Sequence, residues 1–96
     1  MKIDDIEKQL KNPKITPHIQ ALLESYQVMM QWAKADGYDD LLDWKDSMGS
    51  KEYDNHNCRA GYVLAVKKGN LDHAQLLVNR FKVNPKNRNI VKALKV

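Results

Sequence analysis

A chain of 96 residues, 43% of them hydrophobic and with a formal net charge of +4, has the size of one domain and is too short for two substantial cores. The single cysteine, Cys58, excludes an intrachain disulfide framework and suits a reducing compartment. No apolar run approaches the length needed to cross a bilayer, and Asp4-Asp5 interrupts the apolar stretch an export signal would need. The expectation is therefore a cytoplasmic protein with no membrane partner.

The charge is divided unevenly along the chain. Residues 1–35 carry +1, residues 36–54 carry −5 and residues 55–96 carry +8. An acidic middle and a basic C-terminal half can steer partners, and can equally complement one another within the molecule.

In chain order, Ile3, Ile6 and Leu10 predict a short first helix that ends before Asn12-Pro13, because proline disfavours a helical residue before it. Thr16-Pro17 is a capping hydroxyl followed by the residue favoured at the first helical position. Ile19, Leu22, Leu23, Tyr26, Met30 and Ala33 then recur at spacings of three and four, predicting a long amphipathic helix that Gly37 ends. Met29 and Trp32 fall just off this stripe and broaden it. So wide an apolar face implies either a surrounded helix or a surface for self-association, including a homodimer.

A third helix is predicted with Asp39 or Asp40 at its cap and Leu41, Trp44 and Met48 on one face before Gly49. Residues 49–57 show no apolar periodicity and read as the main loop. The run from Cys58 to Lys68 reads as a helix whose small residues Ala60, Gly61 and Ala65 permit close approach of a neighbour, with Gly69 as its stop. Asn70 caps a further helix with Leu71, Ala74, Leu77, Val78 and Phe81 on its stripe. Asn84-Pro85 starts a last one bearing Ile90, Val91 and Leu94. The fold class is all-α: one domain, 1–96, a compact bundle of five or six short helices built from helical hairpins.

Residues 64–77, Leu-Ala-Val-Lys-Lys-Gly-Asn-Leu-Asp-His-Ala-Gln-Leu-Leu, resemble the middle of an ankyrin repeat, in which a small-residue inner helix ends at glycine and an outer helix carries a leucine pair. Ala33, Gly37, Leu41, Trp44 and Met48 form a weaker echo about one repeat upstream. The family's Thr-Pro-Leu-His signature is replaced here by Ala60-Gly61-Tyr62-Val63. The resemblance implies a protein-binding scaffold rather than an enzyme.

Chemistry-bearing residues are sparse. Asp54, His56 and Cys58 lie close in sequence, but one cysteine and three scattered histidines lack zinc-ligand spacing, and Cys58 reads as a small buried hydrophobe rather than a nucleophile. Asp36, Asp39, Asp40, Asp43 and Asp46 lack the calcium-loop pattern and suit a helix start. No catalytic residue, cofactor or metal is expected.

Two interaction surfaces follow. The first is a protein-docking patch of Met29 and Trp32 with Asp39, Asp40, Asp43 and Asp46, fitting an adaptor, inhibitor or regulator. The alternative is a nucleic-acid contact on Arg80, Lys82, Lys86, Arg88 and Lys92, since no acidic residue follows Asp72. In that segment the one aromatic, Phe81, is assigned by its stripe to the core.

Overall fold

The computed structural model describes residues 3–95, the side chains of Ile3, Asp4 and Glu7 excepted; the Met1-Lys2 start and the expected inward face of Ile3 lie outside the described residues. Six helices and no strand are present among them: α1 (Ile3–Leu10), α2 (Pro17–Ala35), α3 (Leu41–Met48), α4 (Ser50–Lys67), α5 (Leu71–Phe81) and α6 (Arg88–Leu94). The all-α expectation holds. Helix α4 is the hub: α2, α3, α5 and α6 all pack on it, and α1 packs on α2.

Helix ends follow the sequence signals closely. Thr16 Oγ1 accepts from the Ile19 N–H at 3.2 Å, Asp40 Oδ1 from the Leu42 N–H at 2.8 Å and Asn70 Oδ1 from the His73 N–H at 3.3 Å. Each cap satisfies a donor that the first helical turn leaves free. At the other ends, Gly37 (φ +93) and Gly69 (φ +76) take the left-handed region. The residue after each closes back on its helix, Tyr38 N–H to Ala33 O at 2.9 Å and Asn70 N–H to Ala65 O at 2.8 Å. Both are Schellman closures, so the sequence echo between Ala33-Gly37 and Ala65-Gly69 marks two hairpins with one stop geometry.

The segment expected as the main loop is instead the first half of α4. Gly49 alone separates α3 from α4; its N–H donates to Lys45 O, and its carbonyl accepts from the Tyr53 N–H. The reason lies in polar-tipped side chains. Tyr53, His56, Ala60 and Val63 are spaced three, four and three apart, which is a helical stripe once Tyr and His count as buried faces. Ala60 and Val63 are buried, and Tyr53 packs on the same core.

The last helix also starts later than expected. Pro85 sits in a turn in which Asn84 Oδ1 accepts from the Lys86 N–H at 3.0 Å, and Asn87 is the cap that accepts from the Asn89 N–H. An Asx turn thus takes the place of the cap-then-proline start. The N–H of Lys86 is already used within that turn, and the helix begins only at Arg88.

Gly69→Ala should lower stability by about 1 kcal/mol, because a Cβ is disfavoured at positive φ. Gly61→Ala should instead raise it by about 0.5–1 kcal/mol, since a Cβ there meets only Leu77 Cδ1 at 3.6 Å, ordinary contact. Thermal melts of the two variants should therefore shift in opposite directions.

Candidate functional site

The residues expected to dock a protein partner separate into two groups. Met29 is fully buried and Trp32 is 7% exposed, both within the core cluster. They are corrected from interface anchors to core. In the C-terminal half of α2 the broad apolar face of Met29, Met30, Trp32 and Ala33 is already covered, while Gln31, Lys34 and Ala35 face solvent. Asp39, Asp43 and Asp46 remain in solvent. Asp40 is the cap of α3, and the hydrogen bond from Leu42 holds its carboxyl below the ordinary value of 3.8.

Trp32 and Trp44 enclose His56. Its imidazole centroid lies 5.8 Å from Trp32 and 4.7 Å from Trp44, and only 12% of its side chain is exposed. Trp44 Nε1 donates to Asp36 Oδ2 at 2.9 Å, and Tyr53 meets the Trp44 ring edge-on at 6.1 Å. On the open side, Arg59 Nη1 approaches His56 Nδ1 at 3.4 Å and Glu52 Oε1 lies 3.8 Å from Nε2. With Arg59 as donor, Nδ1 is an acceptor and the ring is neutral. Burial first, then Arg59, lowers the His56 pKa from 6.5, against the opposite pull of Glu52 and Asp36.

Cys58 is half-buried. Burial and then Asp54 push its thiol up from 9.0, with Arg59 opposing, away from the thiolate that nucleophilic chemistry requires. His56, two positions away on the same helix, does not share its face. Among the described residues no three of His, Cys, Asp and Glu converge to hold a metal ion.

One apolar concavity was not expected from the sequence. It is an open groove of about 600 Å³ running over α4 between α2 and α5, within the range of ligand pockets. Gly61 and Ala65 of α4 and Ala21 and Ser25 of α2 form its small-residue surface. Leu22 and Leu64 supply larger apolar side chains, and His18, Lys68, Asn70 and His73 complete the lining. Lys68 Nζ bridges to Glu24 Oε1 at 2.9 Å. Leu22 lies two turns before Met29 on the same helix face, yet it is 42% exposed, and Ile19 is 41% exposed. The stripe is continuous; its cover stops. The sequence signal was the pair of small residues four apart on each of two helices, which keeps their surfaces low where they face one another.

The basic residues Arg80, Lys82, Lys86, Arg88 and Lys92 are all exposed. Phe81 is exposed too, at 51%, which corrects its assignment to the core. Lys82 adopts a left-handed conformation (φ +59), and this reversal brings Val83 back into the core with its N–H toward Leu77 O at 3.4 Å. Val83 is thus buried, whereas Phe81, two positions earlier, is not.

The chain matches no protein-family model, no curated protein and no solved structure.

Because the folded state disfavours charging His56 while the unfolded chain does not, its contribution to stability is complete above pH 6.5 and is lost as pH falls below that value. Urea titrations between pH 8 and 5 should show this loss in the wild type and a flatter profile in His56→Gln. Trp32→Ala should cost about 3–5 kcal/mol of stability, the cavity cost of a buried aromatic, as read from the same titrations at pH 7.

Proposed function

We propose that this domain is a protein-interaction module that receives one amphipathic helix of a partner protein in the groove over α4. The observation that carries this reading is the uncovered half of the α2 stripe, Ile19 and Leu22, beside a floor of Gly61 and Ala65. Small floor residues let a helix backbone approach closely, and flanking leucines supply anchoring area, as in helix-in-groove recognition. The polar rim chooses the chemistry of the occupant. His18, Asn70, His73 and Lys68 can all donate hydrogen bonds, so the fitting helix carries small and branched apolar residues on one face and carboxylates at its edges.

Such capture suits an adaptor, inhibitor or regulator, which acts by occupying a partner's helix. The likeness of residues 64–77 to an ankyrin repeat, a family of protein-binding scaffolds, points the same way. Asp39, before α3, and Asp43 and Asp46 on it are exposed and then act as a solvating face rather than as anchors of the docking surface.

Selection of helical peptides from a displayed random library on the immobilised domain tests this reading. Enriched peptides should share an apolar i, i+3/i+4, i+7 pattern flanked by acidic residues, and should lose about 10- to 100-fold in affinity on Leu22→Glu. Leu22 is exposed enough for this change to preserve the fold, which circular dichroism checks. Peptides that bind wild type and Leu22→Glu equally would reject the groove as the docking site.

A further inference from the structure

We propose that the surface around Phe81 binds single-stranded nucleic acid, with the phenyl ring as a stacking platform for an unpaired base. The site is separate from the groove and stands independently of the docking reading. Phe81 exposes half of its surface to solvent, with Arg80 and Lys82 on either side of it in the chain. The Arg80 guanidinium lies over the ring, 6.0 Å from its centroid, at the outer limit of a cation–π contact. Lys82 follows directly.

Beside the ring is a depression of about 220 Å³ lined by Asn55, Cys58, Arg59, Phe81, Lys82 and Val83. Asn55 and Arg59 bring hydrogen-bonding groups to its wall, which is what recognition of a base edge next to a stacking face requires. Lys86 follows on the turn before α6 and Arg88 opens that helix, and both are exposed. They extend the cationic surface along which a phosphate backbone can run. Glu52 lies 3.7 Å from Arg59, and Asp54 is close enough to act on Cys58. These carboxylates bound the cationic surface on the α4 side and set the direction of the strand toward α6.

Unpaired rather than duplex substrate follows from the aromatic. A base stacks on a side chain only when it is free of its own stack, and stacking on an exposed ring tolerates every base. A duplex would use the lysines and arginines alone.

Fluorescence anisotropy with fluorescein-labelled 20-mers of oligo(dT) and oligo(rU), and with a 20-base-pair duplex, tests the proposal at 50 and 200 mM salt. The single strands should bind more tightly than the duplex, and Phe81→Ala should weaken them by about 5- to 100-fold while leaving duplex affinity and circular dichroism unchanged. Lys86→Ala with Arg88→Ala should weaken both substrates and lower the slope of log affinity on log salt by about 2. Absence of single-strand binding at 50 mM salt would overturn the proposal. So would equal affinity for strand and duplex with no effect of Phe81→Ala, or competition by poly-glutamate as effective as that by unlabelled oligonucleotide, since either would reduce the surface to a general polyanion contact.

Discussion

The indole of Trp44 is where three helices are tied together. Its ring is almost completely buried, its N–H is satisfied by Asp36 at the end of α2, and its faces and edge meet His56 and Tyr53 of α4. A buried indole needs a partner for its one donor, so the position of the α2 terminus relative to α3 is set by that bond. The same contact lets a strongly polar stretch fold as helix. Without an aromatic wall to pack on, Tyr53 and His56 would gain nothing from sharing a face, and residues 50–57 would have only weak intrinsic propensity to hold them helical.

Once the first half of α4 is helical, the rest of the architecture follows from it. Its Tyr53-His56-Ala60-Val63 face turns to α2 and α3, while Gly61, Leu64, Ala65 and Lys68 lie about a quarter turn around and look out between α2 and α5. The first face is filled by Met29, Met30, Trp32 and Trp44. The second is left shallow by its small residues and becomes the groove. Core and candidate site are therefore two sides of one helix, with the division made by side-chain size.

The two hairpins, α2–α3 and α4–α5, use the same glycine closure but leave different surfaces behind. Toward the end of α2 the stripe is buried, whereas at its start Ile19 and Leu22 remain open. At the end of α5 Phe81 stays outside, and the reversal at Lys82 brings Val83 into the core. These two exposed apolar features, among several, thus occur where a regular stripe outruns its neighbours, and each is bordered by residues of defined polarity. That bordering is why the groove and the Phe81 face point to different partners.

Much of this was legible in the residues themselves. Capping side chains at Thr16, Asp40 and Asn70 and glycine stops at Gly37, Gly49 and Gly69 locate most helix ends, because they answer local backbone requirements that no distant residue alters. Asn84-Pro85 misled because the same local bonds serve a turn as well as a cap. Burial was a different matter. Met29, Trp32 and Phe81 each occupy an apolar position that helical spacing alone cannot sort into covered or open, since that depends on which neighbour crosses the helix and where it ends. The helices and their polarity were determined by the sequence; which parts of their apolar faces became core, groove or exposed platform was decided only when α4 took its place among the others, because cover is a property of packing between segments far apart in the chain.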